Sequence, residues 1–200
     1  MQPGGSPTKT MFDCLVRLYK QSQLLLIDAD RLMGERGWEA MHTTGPAELS
    51  NSLNSPERWF ARWATRFYKS VGVEEEKGGI DRILFVGVHF ASDHDTVVDE
   101  PVVSAGRLTY DVPMDTKAAD QNYHYWMCKY WFYGKPHSTV EGWRQAGRTR
   151  YAKNLLGSET FVVPLYDITS SEELERLVIQ PLLAFEDTLA GPEETSVADE

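Results

Sequence analysis

The segment from Ile80 to Phe90, which reads IDRILFVGVHF, constrains the fold more than any other part of this 200-residue chain. Its apolar residues fall on both sides of an extended backbone, as expected of a strand in a sheet whose two faces are both covered. After a polar loop, Pro101 to Tyr110 has the composition of a partner strand. Together they predict a wide hairpin.

The part of the chain before this hairpin has the pattern of a long helix. Apolar residues recur at helical spacing over 11–33, Thr10 begins an approximate capping box, and Gly34 or Gly37 can end the segment. We therefore expect one helix over about 11–36, followed by a loop over 37–55.

A different interpretation makes Leu24 to Ile27 a buried strand that is followed by Asp28 and Asp30. This layout resembles the strand-then-DxD arrangement of phosphatases and glycosyltransferases, in which carboxylates hold a metal. The continuous helical pattern on both sides favours the helix.

A second helix is predicted from Ser55 to about Ser70. Ser55 can cap it, Pro56 suits the first helical position, and Glu57 faces the positive end of the helix dipole. On such a helix three arginines and three aromatic residues form two neighbouring ridges, with members Arg58, Arg62 and Arg66 and Trp59, Trp63 and Phe67.

Further elements follow the hairpin. Tyr123 to Tyr133 is aromatic on both faces and predicts a third strand, although Asp115 can instead cap a helix reaching Gly134. Ser138 caps a predicted helix over about 139–156, and a fourth strand follows over 160–166. Ser170 and Glu173 form another capping box for a last helix, which Pro181 bends.

The element order ααβββαβα predicts an α+β fold, with a largely antiparallel sheet of about four strands covered by helices. The last β-α-β passage suggests one parallel pair made by a right-handed crossover. We expect a flexible N-terminus over 1–10, a single domain over 11–190 and an acidic disordered tail over 191–200.

Charge and cysteine content point to a cytoplasmic protein. Six acids between Glu186 and Glu200 account for more than half of the net charge of −10, so removing them leaves −4. Nucleic acid is an unexpected partner for this balance. Two cysteines, Cys14 and Cys128, do not make a disulfide framework, and no secretory leader or apolar membrane span is recognisable.

The loop of the hairpin is the first place where a metal could bind. It contains Asp93, His94 and Asp95, with His89 just before it on the strand. Their spacing matches neither an EF-hand loop nor an HExxH helix, and a polar tip is ordinary for a turn. We expect a plain acidic loop, and these residues are the candidates if a metal binds.

A basic cluster after the aromatic segment is the second candidate. Arg144, Arg148 and Arg150 lie on or beside the predicted 139–156 helix, whose capped N-terminus offers N–H donors to an anion. With Arg62 and the aromatic Tyr125 they define the predicted anion or ligand site.

The same segment resembles one enzyme family. Arg144, Gly147 and Thr149 stand in an RxxGxT arrangement, which is similar to the R/QxxGxG/A segment of the GNAT acetyltransferases. That resemblance would imply a loop that cradles the pyrophosphate of acetyl-CoA. The final small residue of the motif is missing here.

The sequence motifs do not indicate a nucleophile paired with a base. His124 and Cys128 are about 13 Å apart if 123–133 is a strand, too far for proton transfer. We therefore expect a non-catalytic binding or protein-interaction domain with an aromatic and arginine-lined pocket. The expected partner is an anionic small molecule or an acidic protein, and a homodimer is compatible with the sheet edge. The alternative is a small GNAT-like transferase or a metal-dependent enzyme, with no cofactor assigned.

Overall fold

The computed structural model describes residues 6–41, 61, 63–72, 79–90, 100–114, 144–149 and 152–189, and every structural statement below refers to these residues. They form an α+β fold, as the sequence predicts. The strands are β1 (Trp38–Ala40), β2 (Trp63–Ser70), β3 (Ile80–His89), β4 (Val102–Met114), β5 (Arg144–Thr149) and β6 (Ala152–Pro164).

Two helices and a short 3₁₀ turn accompany the described sheet. Helix α1 spans Pro7–Gly34, and a 3₁₀ turn at Leu165–Asp167 follows β6. The last helix, α2, spans 171–189 and consists of α-helix Ser171–Leu174, a π-helical turn Glu175–Ile179 and α-helix Gln180–Leu189. None of the described helices is long and apolar enough to cross a membrane.

The six described strands form one sheet in the order β1-β2-β3-β4-β6-β5. Every pairing among them is antiparallel. The predicted parallel pair involves the 123–133 strand, which lies outside the described residues, so it stays a prediction. The predicted β3–β4 hairpin is confirmed, with Val86 opposite Ala105 and Val88 opposite Val103. The sheet has more strands than the four expected, because three segments assigned to helices or a loop contain strands.

Helix α1 is the long helix that the apolar spacing predicts. It begins at Pro7 rather than Met11, and Ser6, not Thr10, precedes it. It ends at Gly34, and Gly37 adopts a φ of 80°, which a residue with a side chain rarely adopts. Because Leu24 to Ile27 is helical, the alternative strand-then-DxD arrangement is excluded.

The second predicted helix is wrong over its described part, because Trp63–Ser70 is strand β2. Residues 55–60 and 62 lie outside the described part of the chain. In β2, Trp63, Thr65 and Phe67 point to one face and are all buried, while Arg66 and Tyr68 point to the other. The four-residue spacing of Trp63 and Phe67 fits one face of a strand as well as one face of a helix, which is why the helical pattern misled.

The predicted helix over 139–156 is also wrong wherever the structure describes it. Arg144–Thr149 and Ala152–Pro164 form the β5–β6 hairpin, with Gly147 opposite Gly157. Glycine in mid-helix costs stability, and in a strand it often marks a bulge, as at the register shift between Gly147 and Thr149. The predicted strand over 160–166 is the second half of β6. Likewise, β1 occupies part of the loop expected over 37–55, and the predicted 123–133 strand lies outside the described residues.

Both described helices pack on the same face of the sheet. The core between them contains Leu26, Ala29, Leu32 and Met33 of α1, together with Tyr68, Leu84, Val86, Val88, Val103, Ala105, Leu174, Val178, Ile179 and Leu182. Ile83, Phe85 and Leu108 on the opposite face are fully buried as well. The expectation that Ile80–His89 is covered on both faces is therefore confirmed.

Helix α2 begins as the capping box predicts. The Ser170 hydroxyl accepts a hydrogen bond from the Glu173 backbone N–H at 3.2 Å, and the Glu173 carboxylate accepts two at 2.7 Å from the Thr169 N–H and hydroxyl. The irregularity expected at Pro181 takes the form of the π turn just before it. The Gln180 N–H there donates to the Glu175 carbonyl, five residues back.

Candidate functional site: the groove between helix α1 and strand β2

The structure does not test the predicted anion site, because the side chains assigned to it lie outside the described part of the chain. Arg144 and Arg148 lie on β5, with side chains outside the described part, and Arg62, Arg150 and Tyr125 lie outside it altogether. The GNAT-like segment is the whole of β5, hydrogen-bonded to β6 from Arg144 to Thr149. A paired strand is not the open loop that the resemblance implies.

A different site lies between α1 and β2. The two elements run side by side: Tyr19 contacts Ala61 just before β2, and Asp30 contacts Arg66 within it. They enclose a groove of about 470 Å³, which we call the α1–β2 groove, lined by Tyr19, Ser22, Gln23, Leu26, Ile27, Asp30, Ala61, Ala64, Arg66 and Phe90.

One end of the groove is closed by an ion pair. Arg66 donates from Nε to Asp30 Oδ1 at 3.0 Å and from Nη2 to Asp30 Oδ2 at 2.6 Å. The Tyr68 hydroxyl donates to Asp30 Oδ1 at 3.0 Å. The bonds to Asp30 raise the pKa of the Arg66 guanidinium, and burial raises the pKa of Tyr68 well above its ordinary range. Both side chains therefore keep their protons and remain donors at neutral pH.

The other end of the groove is aromatic. The Tyr19 and Phe90 rings meet edge to face, with centroids 5.2 Å apart and an interplanar angle of 63°. The Tyr19 hydroxyl donates to the Ala61 carbonyl at 2.7 Å, and burial raises its pKa. Between these ends, Leu26 and Ala64 form an apolar floor.

The sequence analysis placed Arg66 on a helical ridge with other neighbours and did not assign it to the predicted site. A helical ridge places it beside Arg58 and Arg62, whereas the strand turns it towards Asp30 on α1. The alternation at the start of WATRFYKS was the available signal, since Trp63, Thr65 and Phe67 are apolar or β-branched. Nothing local to either segment indicates that Asp30 and Arg66 meet.

His89 and Ser104 form a second polar contact, on the opposite face of the sheet. The His89 Nε2 and the Ser104 Oγ are 2.7 Å apart, within the range of a nucleophile–base pair. Ser104 is 0% exposed and His89 is 3% exposed. A substrate cannot reach this hydroxyl, so we interpret the contact as structural.

The candidate metal loop remains a prediction. Asp93, His94 and Asp95 are outside the described residues. Within the described ranges, no group of three or more His, Cys, Asp or Glu side chains is arranged to hold a metal.

A second groove flanks α1 on its other side, against the start of α2. Its volume is about 390 Å³. Leu18 and Leu25 of α1 line one side of it, and Ile168 and Ser170 at the α2 cap line the other. The cap's hydrogen bonds are made within the capping box itself. Since the α1–β2 groove is larger and combines aromatic, apolar and charged walls, we take it as the candidate site.

Comparison with known proteins gives no family assignment: no family model, curated protein or solved structure matches the chain.

Proposed function

We propose that this chain is a non-catalytic binding domain and that its ligand occupies the α1–β2 groove. The observation that carries the proposal is the groove itself. Its volume of about 470 Å³ lies within the range of roughly 300–1,000 Å³ that is usual for small-ligand sites. Mostly apolar walls with a few polar groups at one end are typical of such sites.

The non-catalytic part of the proposal rests on how the polar groups of the groove are used. Asp30, Arg66 and Tyr68 bond to one another, and Tyr19 bonds to a backbone carbonyl. These contacts hold α1 against β2. Among the described residues lining the groove, no nucleophile stands beside a base. A cytoplasmic location belongs to the same proposal and is supported by the free, exposed thiol of Cys14.

Filling the groove tests the proposal. N-phenyl-1-naphthylamine, a neutral apolar fluorophore, should bind the native chain with an increase in fluorescence. Ala64→Phe places a ring on the groove floor and should reduce that binding at least tenfold. Ala184→Phe makes the same exchange on the exposed side of α2 and should leave binding unchanged. Equal binding to all three proteins would contradict the proposal, provided that their thermal melts show them folded.

Protein interaction through α1 is a second candidate function. Five large apolar residues of this helix are at least 45% exposed, namely Met11, Phe12, Val16, Leu24 and Ile27. Exposed apolar groups concentrated on one element are a common mark of an interface. Sedimentation velocity tests for a homodimer: the native chain should associate, and Val16→Lys with Leu24→Lys should abolish that association. If the native chain is a monomer at all concentrations, the homodimer proposal is contradicted.

A further inference from the structure

The polar end of the α1–β2 groove has an unused hydrogen-bond donor on Arg66. Arg66 uses Nε and Nη2 for Asp30, and within the described residues its Nη1 has no hydrogen-bond partner. Asp30 accepts three hydrogen bonds, two at Oδ1 and one at Oδ2. The Arg66 side chain is 31% exposed, so Nη1 can be reached from the groove. A ligand group that accepts a hydrogen bond can therefore bind Arg66 Nη1 at this end.

The charge around the groove favours an anion. Asp30 and Arg66 compensate each other, and Asp30 is the only acid among the described residues that line the groove. Lys20 follows Tyr19 on the exposed side of α1 and lies one turn before Gln23, another groove residue. It forms no ion pair with a described residue. One uncompensated positive charge therefore lies at the lip of the groove.

The remaining walls favour an apolar body of limited length. Tyr19 and Asp30 mark the two ends on α1, and eleven residues of helix correspond to about 16 Å. Leu26, Ala64 and the edge-to-face pair of Tyr19 with Phe90 lie between or beside these ends. A flat apolar body fits against these apolar parts of the groove wall.

Building on the proposed function, we propose that the ligand is a small amphipathic monoanion: a flat apolar body with one carboxylate or sulfonate that accepts a hydrogen bond from Arg66 Nη1. Charge-assisted hydrogen bonds of this kind are stronger than neutral ones. The apolar body provides burial, and the anionic group orients it towards β2.

Three probes that share one ring system test the charge preference. 2-Naphthoate, 2-naphthylmethanol and 2-naphthylmethylamine are anionic, neutral and cationic at neutral pH. Isothermal titration calorimetry measures the three dissociation constants. 2-Naphthoate should bind at least tenfold more tightly than the alcohol, and the amine should bind most weakly. Equal affinity for 2-naphthoate and the alcohol would overturn the inference while leaving the proposed function intact. If none of the three binds, the proposed function fails too.

Two variants test whether the preference for an anion arises at Asp30–Arg66 and at Lys20. Asp30→Asn removes the anion that compensates Arg66 while keeping a side chain of the same shape, so 2-naphthoate affinity should rise about fivefold and that of the alcohol should not change. Lys20→Gln should lower 2-naphthoate affinity two- to threefold. Arg17→Gln removes the same charge from another side of α1 and is the matched control. Unchanged 2-naphthoate affinity in both Asp30→Asn and Lys20→Gln would contradict the inference.

Discussion

Two glycines allow neighbouring parts of the sheet to approach closely. A Cβ on Gly106 would lie 2.2 Å from the backbone carbonyl oxygen of Glu159 and 3.0 Å from the Phe85 ring. A Cβ on Gly87 would lie 2.5 Å from the Thr65 hydroxyl, which belongs to a side chain. The nearest obstacle at Gly106 is a backbone atom, whereas the nearest at Gly87 is a side-chain hydroxyl that can rotate. The Thr65 Cβ at 3.2 Å and the Ala64 carbonyl oxygen at 3.3 Å stay close to Gly87 after that rotation.

Alanine at these positions should therefore have unequal effects. We predict that Gly106→Ala lowers the free energy of unfolding by about 3 kcal/mol, at the upper end of the usual cost of overpacking. Gly87→Ala should cost about 1 kcal/mol, because Thr65 can change its rotamer. Urea denaturation of both variants measures the difference. Equal costs would show that the β4–β6 approach at Gly106 is looser than described.

The α2 cap gives a prediction about pH. The bonds from Thr169 lower the pKa of Glu173 below its ordinary value of 4.5. A carboxylate with a lowered pKa in the folded state contributes stability above its unfolded pKa, and that contribution is lost as the pH falls through the folded value. As the pH is lowered past 4.5, the thermal midpoint of the native chain should therefore fall more steeply than that of Glu173→Gln.

The exposed residue one position earlier provides the comparison. Glu172→Gln removes one carboxylate from the same turn without touching the Thr169 contacts, so its pH dependence should match that of the native chain. If Glu173→Gln and Glu172→Gln give the same profile, the cap does not depend on the ionised carboxylate.

At the scale of elements, a buried charge network joins α2 to the sheet. The Glu186 carboxylate accepts from Arg82 at 2.6 Å and from Arg107 at 3.2 Å, and Arg107 also donates to Glu159 at 3.3 Å. The Arg107 guanidinium lies 5.4 Å from the centre of the Phe185 ring. Glu186 is only 7% exposed, so it belongs to the packed domain, although its charge was counted with the acidic C-terminal segment.

Removing the centre of this network should be costly. Glu186→Ala leaves Arg107 buried with one anionic partner fewer, and breaking a buried pair costs roughly 3–5 kcal/mol. We predict that the free energy of unfolding falls by about 3 kcal/mol, because Glu159 remains as a partner of Arg107. Glu172→Ala, at an exposed position of the same helix, should change stability by about 0.5 kcal/mol or less. Chemical denaturation checks both, and a Glu186→Ala cost no larger than the control would show that α2 is held by its apolar face alone.

Elements whose signals are local could be predicted from sequence, and those that depend on partners could not. The Ser170–Glu173 box and the apolar spacing of α1 are local patterns, and both are confirmed. The helix predicted in place of strand β2 was wrong because residues four apart share a face in a helix and in a strand alike. The helix predicted in place of the β5–β6 hairpin was wrong because the pairing of the two strands depends on the fold and not on the local sequence. The capping box at Ser138 favoured a helix there in spite of two glycines.

At the scale of the whole molecule, both described helices cover one face of a six-stranded sheet, and the candidate site lies where α1 runs beside β2. The sequence analysis proposed an aromatic and arginine-lined site made of Arg62, Arg144, Arg148, Arg150 and Tyr125, and Arg66 was not in that set. It could not indicate the groove, because Asp30 and Arg66 are 36 positions apart and meet only in the folded chain. The arginines of β5 remain a prediction, since their side chains lie outside the described part.

The central claim is that the α1–β2 groove is the binding site. Chemical-shift mapping by ¹⁵N and ¹³C-methyl NMR during a titration with 2-naphthoate tests it most directly. We predict saturable shifts concentrated at Leu26, Ile27, Ala61, Ala64 and Arg66. Shifts concentrated instead at Leu18, Leu25 and Ile168 on the other side of α1, or no saturable shifts anywhere, would contradict the claim.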